Sequence, residues 1–209
     1  MRHLTAFLIF LTLPMALVAE DILIAPGMKS VDITLNGESF TIMRNQEAGN
    51  TINKLYETTN RGKPQPIMLA AGVETLGELE FIDYMVKAQK DKSILVIDTR
   101  TAGWYADLRI PGAVNIPNSV FDDRDDAVFE MTTSFGVEEG EDGSFDFSNA
   151  KTIVAYCNGY WCGHTPMLIK NADFSLLNMG YPPEKLKYYR GGMQAWTSLG
   201  LTVVGDKAQ

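Results

Sequence analysis

Cysteine and histidine are scarce in this chain, two of each among 209 residues. One His and two Cys in one short span are fewer ligands than a metal site requires, so neither a metal nor another cofactor is expected. Basic residues are in deficit as well, 18 Lys+Arg against 26 Asp+Glu, which argues against nucleic acid as a partner. The acidic runs Asp122 to Asp126 and Glu138 to Asp142 lack the ligand spacing of a calcium loop and read as solvated surface loops. Long apolar runs are missing after residue 19, and repeats and low-complexity tracts are missing throughout. With 45% hydrophobic residues, the composition is that of an ordinary globular protein rather than a disordered, collagen-like or multi-pass membrane chain.

Residues 1–19 place Arg2 and His3 before an apolar run that closes on small residues, the layout of a secretory signal. The run is shorter than the roughly 20 residues needed to cross a bilayer, and Pro14 interrupts it. Cleavage near Glu20 is therefore expected, with no membrane association afterwards and no Cys at the cut to carry a lipid. This predicts an exported, periplasmic protein. Loss of Arg2 leaves 17 Lys+Arg against 26 Asp+Glu, a net charge of −9. Loss of His3 leaves His164, which lies with Cys157 and Cys162 inside eight consecutive residues. In an oxidising compartment such a Cys pair can be oxidised, reduced or modified as part of its chemistry.

Val31, Ile33 and Leu35 alternate with polar residues, Asn36-Gly37 makes a turn, and Phe40 and Ile42 resume the pattern, which predicts a β-hairpin. A polar linker with a short helix around Ile52 to Tyr56 follows. Thr75 and Glu78 form a capping box for a helix carrying Leu79, Ile82 and Val86 on one face. Ile94 to Ile97, Ala113 to Ile116, Thr152 to Tyr156 and Leu186 to Tyr189 read as buried parallel strands. Thr165 and Pro166 open a helix through Leu168, Ala172, Leu176 and Met179, stopped by Gly180 and Pro182. The expected fold class is α/β, a doubly wound parallel sheet with helices on both faces, preceded by a small β-hairpin extension. The expected organisation is a signal peptide over 1–19, an extension over 20–66 and the main domain over 67–205.

Ligands of such sheets bind beyond the carboxyl ends of the strands. Cys157 sits at one of these ends, and the loop Asn158, Gly159, Tyr160, Trp161, Cys162, Gly163, His164 leads from it into the next helix. Backbone N–H groups converging there favour an anion or a thiolate, which makes Cys157 the candidate nucleophile. Cys162 is either a resolving or disulfide partner or a structural staple. His164 either lowers a neighbouring thiol's pKa or faces solvent at the helix entry. Arg190 ends the strand through Tyr189 and is expected on the same rim, either binding an anionic substrate or fixing the turn into Gly191-Gly192.

Four blocks over residues 67–204 resemble the rhodanese (thiosulfate sulfurtransferase) family. They are ILVIDTR (94–100), RIPGAVNIP (109–117), the strand entering Cys157, and YYRGGMQAWTSLGLTV (188–203). The resemblance implies that Cys157 takes sulfane sulfur as a persulfide and passes it to a thiol or other nucleophilic acceptor. It also implies that Asp98 and Arg100 form a structural pair and that Trp196 is core. The chain departs from the family pattern at the chemistry: eight residues rather than six separate the strand from Thr165, and none is Arg. Trp104, Leu108 and Arg109 stand where the family has an acidic residue, a glycine and a histidine. The expected function is therefore an exported rhodanese-type sulfurtransferase acting on a small sulfur donor other than thiosulfate, with a protein partner left open. The alternatives are a thiol-disulfide protein cycling Cys157 and Cys162, and a non-catalytic binding module of the same fold.

Overall fold

The computed structural model describes residues 21–58 and 62–208; the expected signal peptide lies outside them. Among the described residues no helix is long and apolar enough to cross a membrane.

The hairpin forms as its alternation predicts, β1 (Ser30–Leu35) against β2 (Glu38–Met43). Its register pairs Leu35 with Glu38, and the two turn residues, Asn36 (φ 50°) and Gly37 (φ 82°), both take the positive φ that a two-residue turn of this twist demands. Ile33, Leu35 and Ile42 point inward and join one core with Phe81, Met85, Val154, Trp196 and Leu201. Polar contacts lock the arrangement. Asn36 Nδ2 donates to Gly112 O at 2.7 Å, and Glu38 accepts from Arg109 Nη2 at 2.7 Å and from Gly112 N–H at 2.8 Å. The extension thus shares its hydrophobic core with the domain that follows.

That domain holds a five-stranded parallel sheet in the order β3-β9-β8-β4-β5. Its strands are β3 (Glu74–Leu76), β4 (Ile94–Asp98), β5 (Val114–Asn115), β8 (Thr152–Tyr156) and β9 (Leu186–Tyr189). Between β5 and β8 lie α3 (Arg124–Thr133) and a small antiparallel pair, β6 (Glu138–Glu139) with β7 (Phe145–Asp146). Alternate side chains of β8 enter two cores. Val154 and Tyr156 meet α1 (Glu78–Ala88), α5 (Gly192–Ser198) and the hairpin, whereas Ile153 and Ala155 meet α3 and Leu168 and Ile169. Helices on both faces of a parallel sheet confirm the expected fold class. The register pairs Asp98 with Tyr156 and Tyr156 with Tyr189, so Thr99, Cys157 and Arg190 follow side by side at the carboxyl edge.

Three local expectations change. Thr75 is not a helix cap, because the edge strand β3 takes residues 74–76 to pair with β9; α1 opens at Gly77, whose N–H donates to the Glu80 carboxylate at 3.2 Å. Thr165 is buried inside the turn α4 (His164–Pro166), capped by Gly163. A single π-helical turn over Met167–Asn171 follows and ends at Ala172, not near Met179, where Asn178 Nδ2 caps the Ala172 carbonyl at 2.9 Å. The run Asp122 to Asp126 is no loop: Asp123 caps α3 by accepting from Asp125 N–H (2.8 Å), and Asp125 and Asp126 sit in the first turn, where the helix dipole favours acidic groups.

Ile42 has no exposed surface, so Ile42→Ala is expected to cost about 2–5 kcal/mol. Because the core is shared, thermal unfolding followed by circular dichroism should remain one transition at lower temperature. A separate early transition for the hairpin would contradict the shared core.

Candidate active site

Cys157 leaves the end of β8, and its carbonyl is clasped by the start of α5: Met193 N–H donates to it at 3.0 Å, and Gln194 N–H donates to Asn158 O at 2.9 Å. Only glycine fits at 192, since its φ is +53° and a Cβ there would sit 2.3 Å from Cys157 O. The loop then reverses, with Cys162 N–H donating to Gly159 O at 2.9 Å. Both thiols are free, and both are buried, at 1% and 3% exposure.

The two sulfurs have opposite surroundings. Cys157 Sγ faces the Cys162 carbonyl at 3.5 Å, an acceptor that a neutral S–H suits and a thiolate does not. Burial, and then its bond to the Cys162 sulfur, push its pKa well up, against donation from the Thr165 hydroxyl and N–H. Cys162 faces donors. The Cys157 S–H, the His164 side chain and the His164 N–H lower its pKa to about 4 in spite of burial. His164 is raised in turn, first by its bond to the Cys162 sulfur. The surroundings therefore favour the negative charge on Cys162 and the proton on Cys157, with the His164 side chain donating to the Cys162 sulfur. The sequence reading expects donors around the Cys157 sulfur; the Cys162 carbonyl faces it as well. His164 does not stand free in solvent as one sequence reading had it, because it is half-buried and its Nδ1 is enclosed with no hydrogen-bond partner among the described residues.

Beneath the loop lies Arg100, fully buried with Asp98. Its Nε donates to both Asp98 oxygens (2.9 and 3.1 Å), and Nη2 donates to Asp98 Oδ2 and to Leu108 O (2.6 Å each). Nη1 donates to Tyr56 OH (2.8 Å) and Asn158 Oδ1 (3.4 Å), and the Tyr56 hydroxyl donates to the same Asn158 oxygen at 2.7 Å. This is the structural pair that the sequence predicts, extended by a residue of the hairpin segment.

The segment before the main domain also crosses the loop. Gln65 N–H donates to Tyr160 O (2.6 Å), and Gln194 bridges Trp161 Nε1, through its Oε1 (2.8 Å), and Thr58 O, through its Nε2 (2.5 Å). Arg190 does reach this rim, 5.1 Å from the Tyr160 ring centre, but its Nε and Nη2 both donate to Gln65 O, at 3.0 and 2.7 Å. Cys157, Cys162, Asn158, Tyr160, Trp161, Gly163, His164 and Arg190 are thus brought together. Sequence reasoning missed Tyr56, Gln65, Gln194 and Thr99, whose hydroxyl meets that of Thr165 at 2.9 Å; only Thr99 and Gln194, inside the blocks 94–100 and 188–203, carried any signal. Among the described residues no three His, Cys, Asp or Glu side chains converge as a metal would require.

A family model described as "Rhodanese-like domain" matches residues 82–199, which is 118 of the 209 residues. The chain belongs to the rhodanese-like family. Among solved structures it is similar to a protein from Bacillus halodurans at 23% identity, covering 66% of this chain and 80% of that one, with a TM-score of 0.44. It is also similar to thiosulfate sulfurtransferase from Pseudomonas aeruginosa at 16% identity and a TM-score of 0.41, where the match covers 66% of this chain and 21% of the other. No curated protein matches. Membership supports sulfurtransferase-type chemistry at the level of the family.

Ultraviolet titration of the reduced protein is expected to show one thiolate at neutral pH, protonated as the pH falls through about 4. Cys162→Ser should remove it, and Cys157→Ala should move the transition upward because the S–H donor is lost; a reduced protein without a thiolate at neutral pH overturns the assignment. Tyr56→Phe leaves a buried guanidinium donor and Asn158 short of a partner, and a loss of about 1–3 kcal/mol is expected in chemical denaturation.

Proposed function

We propose that the protein is an exported rhodanese-like sulfurtransferase that carries sulfane sulfur as a persulfide on Cys157. The observation that carries this reading is the place of Cys157 in a rhodanese-like domain, at the carboxyl end of β8, with its sulfur turned onto the backbone of a second cysteine, Cys162, at 3.5 Å. When a donor reaches the site, Cys162 takes the Cys157 proton as the Cys157 sulfur attacks the donor's sulfane sulfur. The donor's remaining fragment leaves with the electron pair of the broken S–S bond, and a Cys157 persulfide remains. Donation from the Thr165 N–H and hydroxyl supports the negative charge that develops there.

The loop holds no Arg, and the guanidinium of Arg190 is engaged by Gln65 O. These features favour a persulfide or a hydrogen polysulfide, which enters with a single charge, over the doubly charged thiosulfate. The acceptor is a thiol or another nucleophile, free or on a protein partner. The leader over 1–19 supports export to the periplasm, and membrane and nucleic acid have no part in this reading.

Reduced protein mixed with inorganic polysulfide, passed through a desalting column and digested, is expected to show sulfur added at Cys157 by mass analysis, faster than with thiosulfate. Cys157→Ser should take up none at that position. Protein recovered from the periplasmic fraction should begin near Glu20. Failure of every sulfane donor to modify Cys157 removes the enzymatic reading, and an intact leader on the cellular protein removes the exported one.

A further inference from the structure

A sulfur atom delivered to Cys157 arrives in a closed compartment. Cys157 is 1% exposed and Cys162 3%. Gln65 binds the main chain over them at Tyr160, and Trp161 is tied to Gln194. The nearest nucleophile to a modified Cys157 is therefore within the chain. The turn closed by Cys162 N–H and Gly159 O at 2.9 Å brings residue 162 back onto residue 157, and Cys157 Sγ lies 3.5 Å from the Cys162 carbonyl. The sulfurs themselves are in hydrogen-bond contact, and the His164 N–H and side chain face Cys162 rather than Cys157.

We propose that Cys162 resolves the Cys157 persulfide internally, so that the protein reduces sulfane sulfur to hydrosulfide and is recharged by a dithiol. This rests on the reading that Cys157 carries the sulfur. Cys162 gives up to His164 the proton it took from Cys157 during charging and attacks the inner sulfur of the persulfide, Cys157 Sγ, which faces the Cys162 backbone at 3.5 Å. A Cys157–Cys162 bond forms and the persulfide S–S bond breaks. Its electron pair leaves with the outer sulfur, which takes a proton from His164 and departs as hydrosulfide, while the proton from Cys162 replaces it on His164. The sulfane sulfur gains two electrons and the cysteine pair loses two. A small-molecule or protein dithiol then reduces the disulfide by two thiol-disulfide exchanges and becomes a disulfide itself. A ring of only six residues gains little from loop closure, which leaves this bond open to reduction. His164 acts here as a positioning group for the Cys162 thiolate and as the proton source for the leaving sulfur.

The test uses purified, reduced, full-length protein, one equivalent of inorganic polysulfide and no added thiol, with acid quenching, intact and peptide mass analysis, and hydrosulfide measured above a donor-only blank. The expected wild-type result is one hydrosulfide per protein, a mass lower by two hydrogens, and a linked Cys157–Cys162 peptide; dithiothreitol should restore the starting mass and permit a second turnover. Cys162→Ser and Cys162→Ala lose the base that takes the Cys157 proton and should charge more slowly, but the sulfur that arrives should stay on Cys157 with no hydrosulfide released. A wild-type protein that keeps the sulfur with Cys162 unlinked overturns internal resolution and leaves the persulfide reading standing. A wild-type protein that neither gains sulfur nor becomes linked overturns both. The wild-type measurement decides each case, so a variant that fails to fold does not obscure the answer.

Discussion

The buried guanidinium of Arg100 is the point on which this architecture turns. Moving such a charge from water into a core costs several kcal/mol unless it is paired and every donor is used. Here the five N–H groups are all engaged, by Asp98, Leu108 O, Tyr56 OH and Asn158 Oδ1. Each partner comes from a different part of the molecule: the end of a central strand, the segment after α2 (Ala102–Asp107), the hairpin extension and the cysteine loop. Satisfying one residue therefore fixes four segments relative to one another. The position of the cysteine loop follows from this electrostatic requirement as much as from the hydrophobic core.

The same logic accounts for the places where the chain leaves its family's pattern. Arg109 stands in the position of a histidine and forms an ion pair with Glu38 of the hairpin. Trp104 replaces an acidic residue, and its ring centre lies 6.2 Å from that of Tyr56. Leu108 replaces a glycine; its side chain is buried while its carbonyl takes an Arg100 donor. All three changed positions therefore touch the extension or its anchor. The substitutions adapt the edge of the domain to a hairpin that shares its core.

The strands were legible because unbroken β-favouring runs such as Thr152 to Tyr156 have no competing reading in a parallel sheet. The hairpin was legible because Asn36-Gly37 specifies its turn. Helix starts were less so: Thr75 and Thr165 both have cap chemistry, yet tertiary pairing claimed one for a strand and burial claimed the other. The acidic run at Asp122 to Asp126 looked like solvated loop, because a capping Asp followed by acidic first-turn residues has the same composition as a surface tract. Tyr56 was beyond reach, since it meets Asn158 across 102 residues of sequence. The family blocks located the cysteine loop, but nothing in their spelling distinguished which sulfur is ionised.

That distinction is made by the backbone. Two thiolates in one buried compartment would repel each other, so ionising one sulfur raises the pKa of the other. The charge goes where donors outnumber acceptors. Cys162 meets the His164 N–H and side chain, whereas Cys157 meets a carbonyl oxygen. A loop two residues longer than the family's makes room for this second sulfur and its histidine. The extra length then exchanges a fixed cation for a titratable pair. A fixed guanidinium stabilises any anion at the site, but a thiolate beside an imidazolium is also a nucleophile and a proton donor, so the altered loop changes which reaction the same strand end supports.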